Sequence, residues 1–203
     1  MFVKDFIRQY RVVPVVVFQS IEEVRPKLRA MLRGGLPIAE ITYRTACAGE
    51  AIKIAVNEFP EMLVGAGTVT NAQQCREALN CGARFIVSPG FSVDVAKLCN
   101  LNDVPYLGGC VTPTEIMTAL SYGCDIIKFF PASDFGGLAA MKALSAAFPT
   151  ATFLPTGGVN ENNLAEYLRW EKTFAVGGSW MMQGTPEEIA RKCRTAVEIS
   201  ENI

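Results

Sequence analysis

Eight short runs of apolar and β-branched residues recur along the chain, and they constrain its fold more than any other feature. They are Val12–Phe18, Pro37–Thr42, Leu63–Gly67, Phe85–Ser88, Pro105–Gly109, Asp125–Phe130, Thr152–Thr156 and Thr173–Gly177. The runs are continuous rather than alternating, which is the pattern of parallel strands covered on both faces. Helical patterns separate them. Ser20 heads one, with Glu23 placed for a capping box and Ile21, Val24, Leu28, Met31 and Leu32 on one face. Pro26 is expected to kink that helix. Asn71 with Gln74 heads another, ending near Gly82. Thr112-Pro113-Thr114-Glu115 and Thr185-Pro186-Glu187-Glu188 each supply an N-cap, a proline at the first helical position and a capping glutamate. Gly34, Gly82 and Gly123 are expected to close helices. Eight βα units at a spacing of about 20–28 residues predict an α/β fold. The expected form is a single compact (β/α)8 TIM barrel with an N-terminal helix over Val3–Tyr10, one domain spanning 1–203. An open doubly wound sheet is the alternative, and eight strands favour closure.

Composition removes several classes of function. The net charge of −1 over 203 residues offers no basic excess for nucleic acid and no polybasic tail for a membrane. No apolar stretch approaches the length of a membrane span. Met1-Phe2-Val3-Lys4-Asp5 carries a charge pair where a signal peptide needs an apolar core, so export is not expected. The cysteines, at 47, 75, 81, 99, 110, 124 and 193, are odd in number and include no CxxC. They read as small buried hydrophobes in a reduced cytosol rather than as a disulfide framework or metal ligands. Histidine is absent, which removes Ser-His-Asp, Cys-His and HExxH chemistry. Acid–base work must fall to Glu, Asp, Lys, Tyr or water.

The reactive groups of a parallel barrel lie at the C-terminal ends of its strands, and the unusual polar residues here fall there. Lys128 sits inside the apolar run Cys124-Asp125-Ile126-Ile127-Lys128-Phe129-Phe130-Pro131. Desolvation disfavours an ammonium ion, so such a lysine can offer a neutral amine to a carbonyl. The plainer reading is a strand-end lysine whose stem packs and whose head reaches water. Glu40 is likewise an anion within an apolar strand. Together the two are either a neutralising buried pair or a nucleophile with its proton shuttle. Arg44, at the exit of the same strand, offers a planar fork for a carboxylate, or is an ordinary exposed loop arginine. Thr68, Pro89-Gly90, Thr156 and Gly178-Ser179 fall at other strand exits.

Two glycine pairs, in Pro155-Thr156-Gly157-Gly158-Val159 and Val176-Gly177-Gly178-Ser179, follow the last two strands. Bare glycines let backbone N–H groups approach an anion, and barrels commonly hold phosphate with these two loops. Asn160 is placed to cap the helix after the first of them. Gly65-Ala66-Gly67-Thr68-Val69 lacks the third glycine of a dinucleotide loop, so no nicotinamide cofactor is expected. Trp180, Met181 and Met182 read as packing.

Several of these segments resemble the 2-keto-3-deoxy-6-phosphogluconate aldolase family, which includes bifunctional enzymes that also act on 4-hydroxy-2-oxoglutarate. The likeness covers nearly the whole chain and runs through Pro14-Val15-Val16-Val17, Glu40-Ile41-Thr42-Tyr43-Arg44-Thr45, Gly65-Ala66-Gly67-Thr68-Val69, Ser88-Pro89-Gly90, Lys128-Phe129-Phe130-Pro131-Ala132, Pro155-Thr156-Gly157-Gly158 and Gly177-Gly178-Ser179-Trp180. It implies a class I aldolase, a homotrimer of barrels with no metal and no cofactor. Its expected partners are small molecules: a phosphorylated 2-keto acid, pyruvate and glyceraldehyde 3-phosphate. On this resemblance Lys128 is the Schiff-base lysine and Glu40 the general acid/base. Arg44 and Thr68 hold the substrate carboxylate, Pro89 and Phe130 line the site, and Thr156 places a hydroxyl near the reacting carbons. Gly157, Gly158, Gly178 and Ser179 match the phosphate site. Arg44-Thr45 favours the gluconate type over the galactonate-type aldolases.

Overall fold

Each of the eight apolar runs contributes a strand in the computed structural model, which describes residues 2–203. The order is α1 (Val3–Tyr10), β1 (Val12–Val16), α2 (Val24–Arg33), β2 (Ile38–Thr42), α3 (Ala48–Glu58), β3 (Leu63–Gly67), α4 (Ala72–Asn80), β4 (Ile86–Val87) and α5 (Val93–Leu101). It continues through β5 (Tyr106–Leu107), α6 (Pro113–Ser121), β6 (Ile126–Phe129), α7 (Gly137–Ala147), β7 (Thr152–Pro155), α8 (Leu164–Leu168), β8 (Val176–Gly178) and α9 (Pro186–Glu201). The strands are parallel and fall into a six-stranded half-barrel, ordered β5-β4-β3-β2-β1-β8, and a separate β6-β7 ladder. Single bridges join the two: Gly109 to Lys128 on one side, and Thr156 to Gly177 and Phe153 to Thr173 on the other. β4 and β5 are two residues each. Prolines and glycines flank them closely (Pro89, Pro105, Gly108), and such residues end ladders early.

The strand period orders the interior. Val13, Ile38, Leu63, Ile126 and Leu154 belong to one inner apolar cluster, joined by Ile7 from α1. Successive side chains of a strand alternate faces, so residues two further along return to the same interior. Two residues beyond Ile38 is Glu40, beyond Ile126 is Lys128, and beyond Leu154 is Thr156. The apolar layer therefore underlies a polar one built from three strands. A second, larger cluster lies between the strands and the surrounding helices.

Local grammar held at three of the helix starts expected from sequence. Asn71 accepts the Gln74 N–H, and Thr112 and Thr185 form complete capping boxes. It failed at Ser20, whose side chain caps nothing, while the Glu23 carboxylate takes the Gln19 N–H and the Lys27 ammonium instead. A 3-10 turn over Ile21–Glu23 delays α2, which places Pro26 in the first helical turn, where a missing N–H costs nothing and no kink is needed. Asn160 also does not cap a helix: α8 begins at Leu164 with Asn163 at its N-cap.

Gly34 closes α2 as its C-cap, donating its N–H to the Ala30 carbonyl, but it is not the left-handed residue. Its φ is −81°, and Gly35 at φ 77° makes the turn. Gly34 is small because α9 lies against it: a Cβ there would meet the Cys193 Cβ at 2.5 Å and the Ala190 carbonyl at 2.6 Å. Gly34→Ala is therefore expected to destabilise the fold by about 1–3 kcal/mol through overpacking. A urea titration monitored by circular dichroism checks this, and an unchanged midpoint would contradict the close packing.

Candidate active site

Lys128 and Glu40 meet inside the fold. The Lys128 Nζ lies 3.5 Å from Glu40 Oε1, with the two side chains 3% and 0% exposed. At that distance the contact is an ion pair rather than a well-formed hydrogen bond. Neither Glu40 oxygen has a hydrogen-bond partner. Burial raises the Glu40 pKa above its usual value, opposed by the nearby charges of Lys128 and Arg44. Lys128 Nζ also sits 5.2 Å from the centre of the Phe130 ring, within cation–π range.

Neighbouring strands make room for the pair. Glu40 is in register with Gly65, and its side chain lies across Gly67, where a Cβ would meet the Glu40 Cγ at 2.5 Å. Glycine inside a strand commonly marks such a close approach, so the Gly-x-Gly of β3 was the available signal for this platform. Gly177 plays the same part for Thr156, whose Oγ1 would strike any Cβ at that position. Thr156 is 5% exposed, and its hydroxyl also lacks a hydrogen-bond partner.

The exits of β2 and β3 bring Arg44 and Thr68 together. Arg44 Nε donates to Thr68 Oγ1 at 3.3 Å, and Arg44 itself is exposed. Thr68 has φ 54°, a left-handed conformation that is uncommon for a β-branched residue and concentrates at functional positions. Side-chain hydroxyls knit these exits to their neighbours: Thr42 donates to the Val16 carbonyl at 3.0 Å and Thr45 to the Phe18 carbonyl at 2.8 Å. Ser88 donates to the Val69 carbonyl, tying the exit of β4 to that of β3.

Gly157 and Gly158 both adopt left-handed φ, 92° and 77°, the kind of turn that exposes successive backbone N–H groups. Ser133 lies directly over Gly158, a neighbour the sequence did not single out. After β8, Ser179 stands at the head of the 3-10 turn Trp180–Met182. After β7, α8 starts six residues beyond Gly158. Met181 is fully buried, whereas Trp180 and Met182 are only partly so and pack on the same core. The wider surface cavities lie elsewhere. Those of about 370 and 620 Å³ open at the amino-terminal side of β5 and β6, against Lys4, Asp103, Val104 and Pro105. Size is a poor guide here, since the buried Lys128–Glu40 pair and the unpartnered oxygens of Glu40 and Thr156 sit at the opposite strand ends. Among the described residues, no group of His, Cys, Asp and Glu converges as metal ligands would, and no helix is long and apolar enough to cross a membrane.

The parallel α/β fold is shared with solved aldolase structures. The chain belongs to the KDPG and KHG aldolase family, whose model matches residues 3–192. It is 43% identical over 178 residues to the 2-dehydro-3-deoxy-phosphogluconate aldolase of Treponema pallidum, covering 88% of this chain and 85% of that one. The crystal structure of the 2-keto-3-deoxy-6-phospho-gluconate aldolase of Zymomonas mobilis superposes with a TM-score of 0.93, at 36% identity and 98% of each chain. The KDPG aldolase of Legionella pneumophila, with pyruvate captured as a covalent carbinolamine, superposes with a TM-score of 0.87 at 34% identity, covering 98% of this chain and 97% of that one.

Proposed function

We propose that this chain cleaves 2-keto-3-deoxy-6-phosphogluconate reversibly to pyruvate and glyceraldehyde 3-phosphate through an imine on Lys128, and that it can also cleave 4-hydroxy-2-oxoglutarate to pyruvate and glyoxylate. The observation that carries the reading is the buried Lys128–Glu40 pair at 3.5 Å, with both Glu40 oxygens otherwise unpartnered. The captured carbinolamine of the Legionella enzyme supports the same chemistry by family.

The amine of Lys128 adds to the C2 ketone, forming a C–N bond, and the former carbonyl oxygen leaves as water. The resulting iminium is the electron sink. Glu40, directly or through a water, takes the C4 hydroxyl proton, the C3–C4 bond breaks, and its electron pair moves into the enamine. Glyceraldehyde 3-phosphate departs. The enamine is protonated at C3, and water hydrolyses the imine to return pyruvate and the free amine. Arg44 and Thr68 hold the carboxylate, Pro89 and Phe130 wall the keto-acid end, and Thr156 presents its hydroxyl to the reacting carbons. Gly157, Gly158, Gly178 and Ser179 hold the phosphate, supplying orientation at the distant reacting bond.

The same proposal closes the two strand ladders into a single-domain (β/α)8 barrel, supported by the bridges Gly109–Lys128 and Thr156–Gly177. It also takes the active form to be a homotrimer in the cytoplasm, for which seven free cysteines are suited to a reducing compartment. Pyruvate release measured on 2-keto-3-deoxy-6-phosphogluconate, its galactonate epimer and 4-hydroxy-2-oxoglutarate tests the reading. Turnover is expected on the first and faster than on the epimer. No pyruvate from any of the three would refute it.

A further inference from the structure

Tyr106 is buried at the start of β5, yet its hydroxyl reaches the segment leaving β4. It accepts the Ser92 N–H at 3.1 Å and donates to the Gly90 carbonyl at 3.3 Å. Between those contacts Phe91 packs its ring on Tyr106 at 5.5 Å and on Tyr122 at 6.2 Å. The segment rests on two glycines. A Cβ on Gly108 would meet the Phe91 ring at 2.5 Å, and one on Gly109 would strike the Pro89 carbonyl. Gly109 is bridged to Lys128, whose N–H donates to Gly108 at 3.1 Å and whose carbonyl accepts from Cys110 at 2.9 Å. One continuous line of contacts thus runs from the Tyr106 hydroxyl, through Pro89–Gly90, to the strand that carries the lysine. Ser88, at the head of the same segment, is tied to Val69, next to the left-handed Thr68.

We infer that Tyr106 is a positioning residue: its hydroxyl fixes Pro89–Gly90 as the wall that seats the keto-acid end of the substrate. The inference rests on the Schiff-base reading above. Burial pushes the phenol up to about 12, so the hydroxyl stays a donor throughout the working pH range. Because the contacts lead to the β6 side, the phosphate end is not expected to feel their loss.

The test compares wild type, Tyr106→Phe and Phe91→Leu by borohydride inactivation at graded pyruvate concentrations. Inhibition by inorganic phosphate and thermal midpoints are read alongside. Tyr106→Phe is expected to raise the half-saturating pyruvate concentration about fivefold, the scale of one neutral hydrogen bond, with limiting inactivation rate and phosphate inhibition unchanged. Phe91→Leu loosens the ring packing but leaves the hydroxyl in place. It is expected to lower the thermal midpoint without moving pyruvate saturation. The inference is overturned if Tyr106→Phe leaves pyruvate saturation unchanged, if it weakens phosphate in parallel, or if Phe91→Leu reproduces its effect. Failure to trap pyruvate on wild-type Lys128 would instead remove the Schiff-base reading beneath it.

Discussion

Lys128→Met is expected to lower turnover by about 10⁴-fold or more, because the proposed imine that stabilises the departing electron pair forms on this amine. Substrate binding through Arg44 and the glycine loops should survive, so the loss falls on kcat. The same change leaves Glu40 buried without its cation, 0% exposed and with no hydrogen bond to either oxygen. Breaking a buried pair from one side commonly costs about 3–5 kcal/mol. Combining Lys128→Met with Glu40→Gln should therefore recover much of the stability and none of the activity. Steady-state rates beside urea midpoints for the three proteins check this. Activity surviving in the single variant would move the chemistry to another group.

Glu40→Gln is expected to lower turnover by about 10²- to 10⁴-fold, the usual scale for losing a positioned proton carrier. Lys128 remains able to form an imine with pyruvate, so trapping should persist at a slower rate. The variant also changes how stability responds to pH. Burial raises the Glu40 pKa above its ordinary 4.5, so the folded state holds this proton more tightly than the unfolded chain. The stability contributed by that protonation is present below the unfolded value and is lost as pH rises through the raised folded one. Glutamine does not titrate, so the variant should show a flatter dependence of urea midpoint on pH above about 4.5. An identical slope in both proteins would contradict the raised value.

The candidate site residues were legible because polar groups interrupt apolar runs, and the strict alternation of side chains along each strand then brings them to one interior. Glu40, Lys128 and Thr156 stand one pleat beyond Ile38, Ile126 and Leu154, and an ionisable residue inside an apolar run is conspicuous. Strand positions and the proline-led helix starts were legible for the same local reason. What surrounds the pair was not, because it depends on contacts across strands. Gly67 and Gly177 are platforms for side chains from neighbouring strands, and only the register tells which side chain each one faces. The Tyr106 hydroxyl meets a carbonyl sixteen residues earlier in the chain. Ser20 and Glu23 had capping-box spacing, but a 3-10 turn redirected the glutamate to Gln19. The apolar run around Lys128 is also only half of its environment. The nearest charged group to the amine is a carboxylate, so any account of its proton must include Glu40.

The central claim is that Lys128 forms the covalent bond to substrate. Incubating the protein with pyruvate and sodium borohydride, then digesting it and sequencing peptides by mass spectrometry, tests this most directly. The account predicts one stable adduct per chain, on Lys128, absent when pyruvate or borohydride is left out. An adduct on a different lysine, or a protein that turns over substrate while giving no adduct, would contradict it.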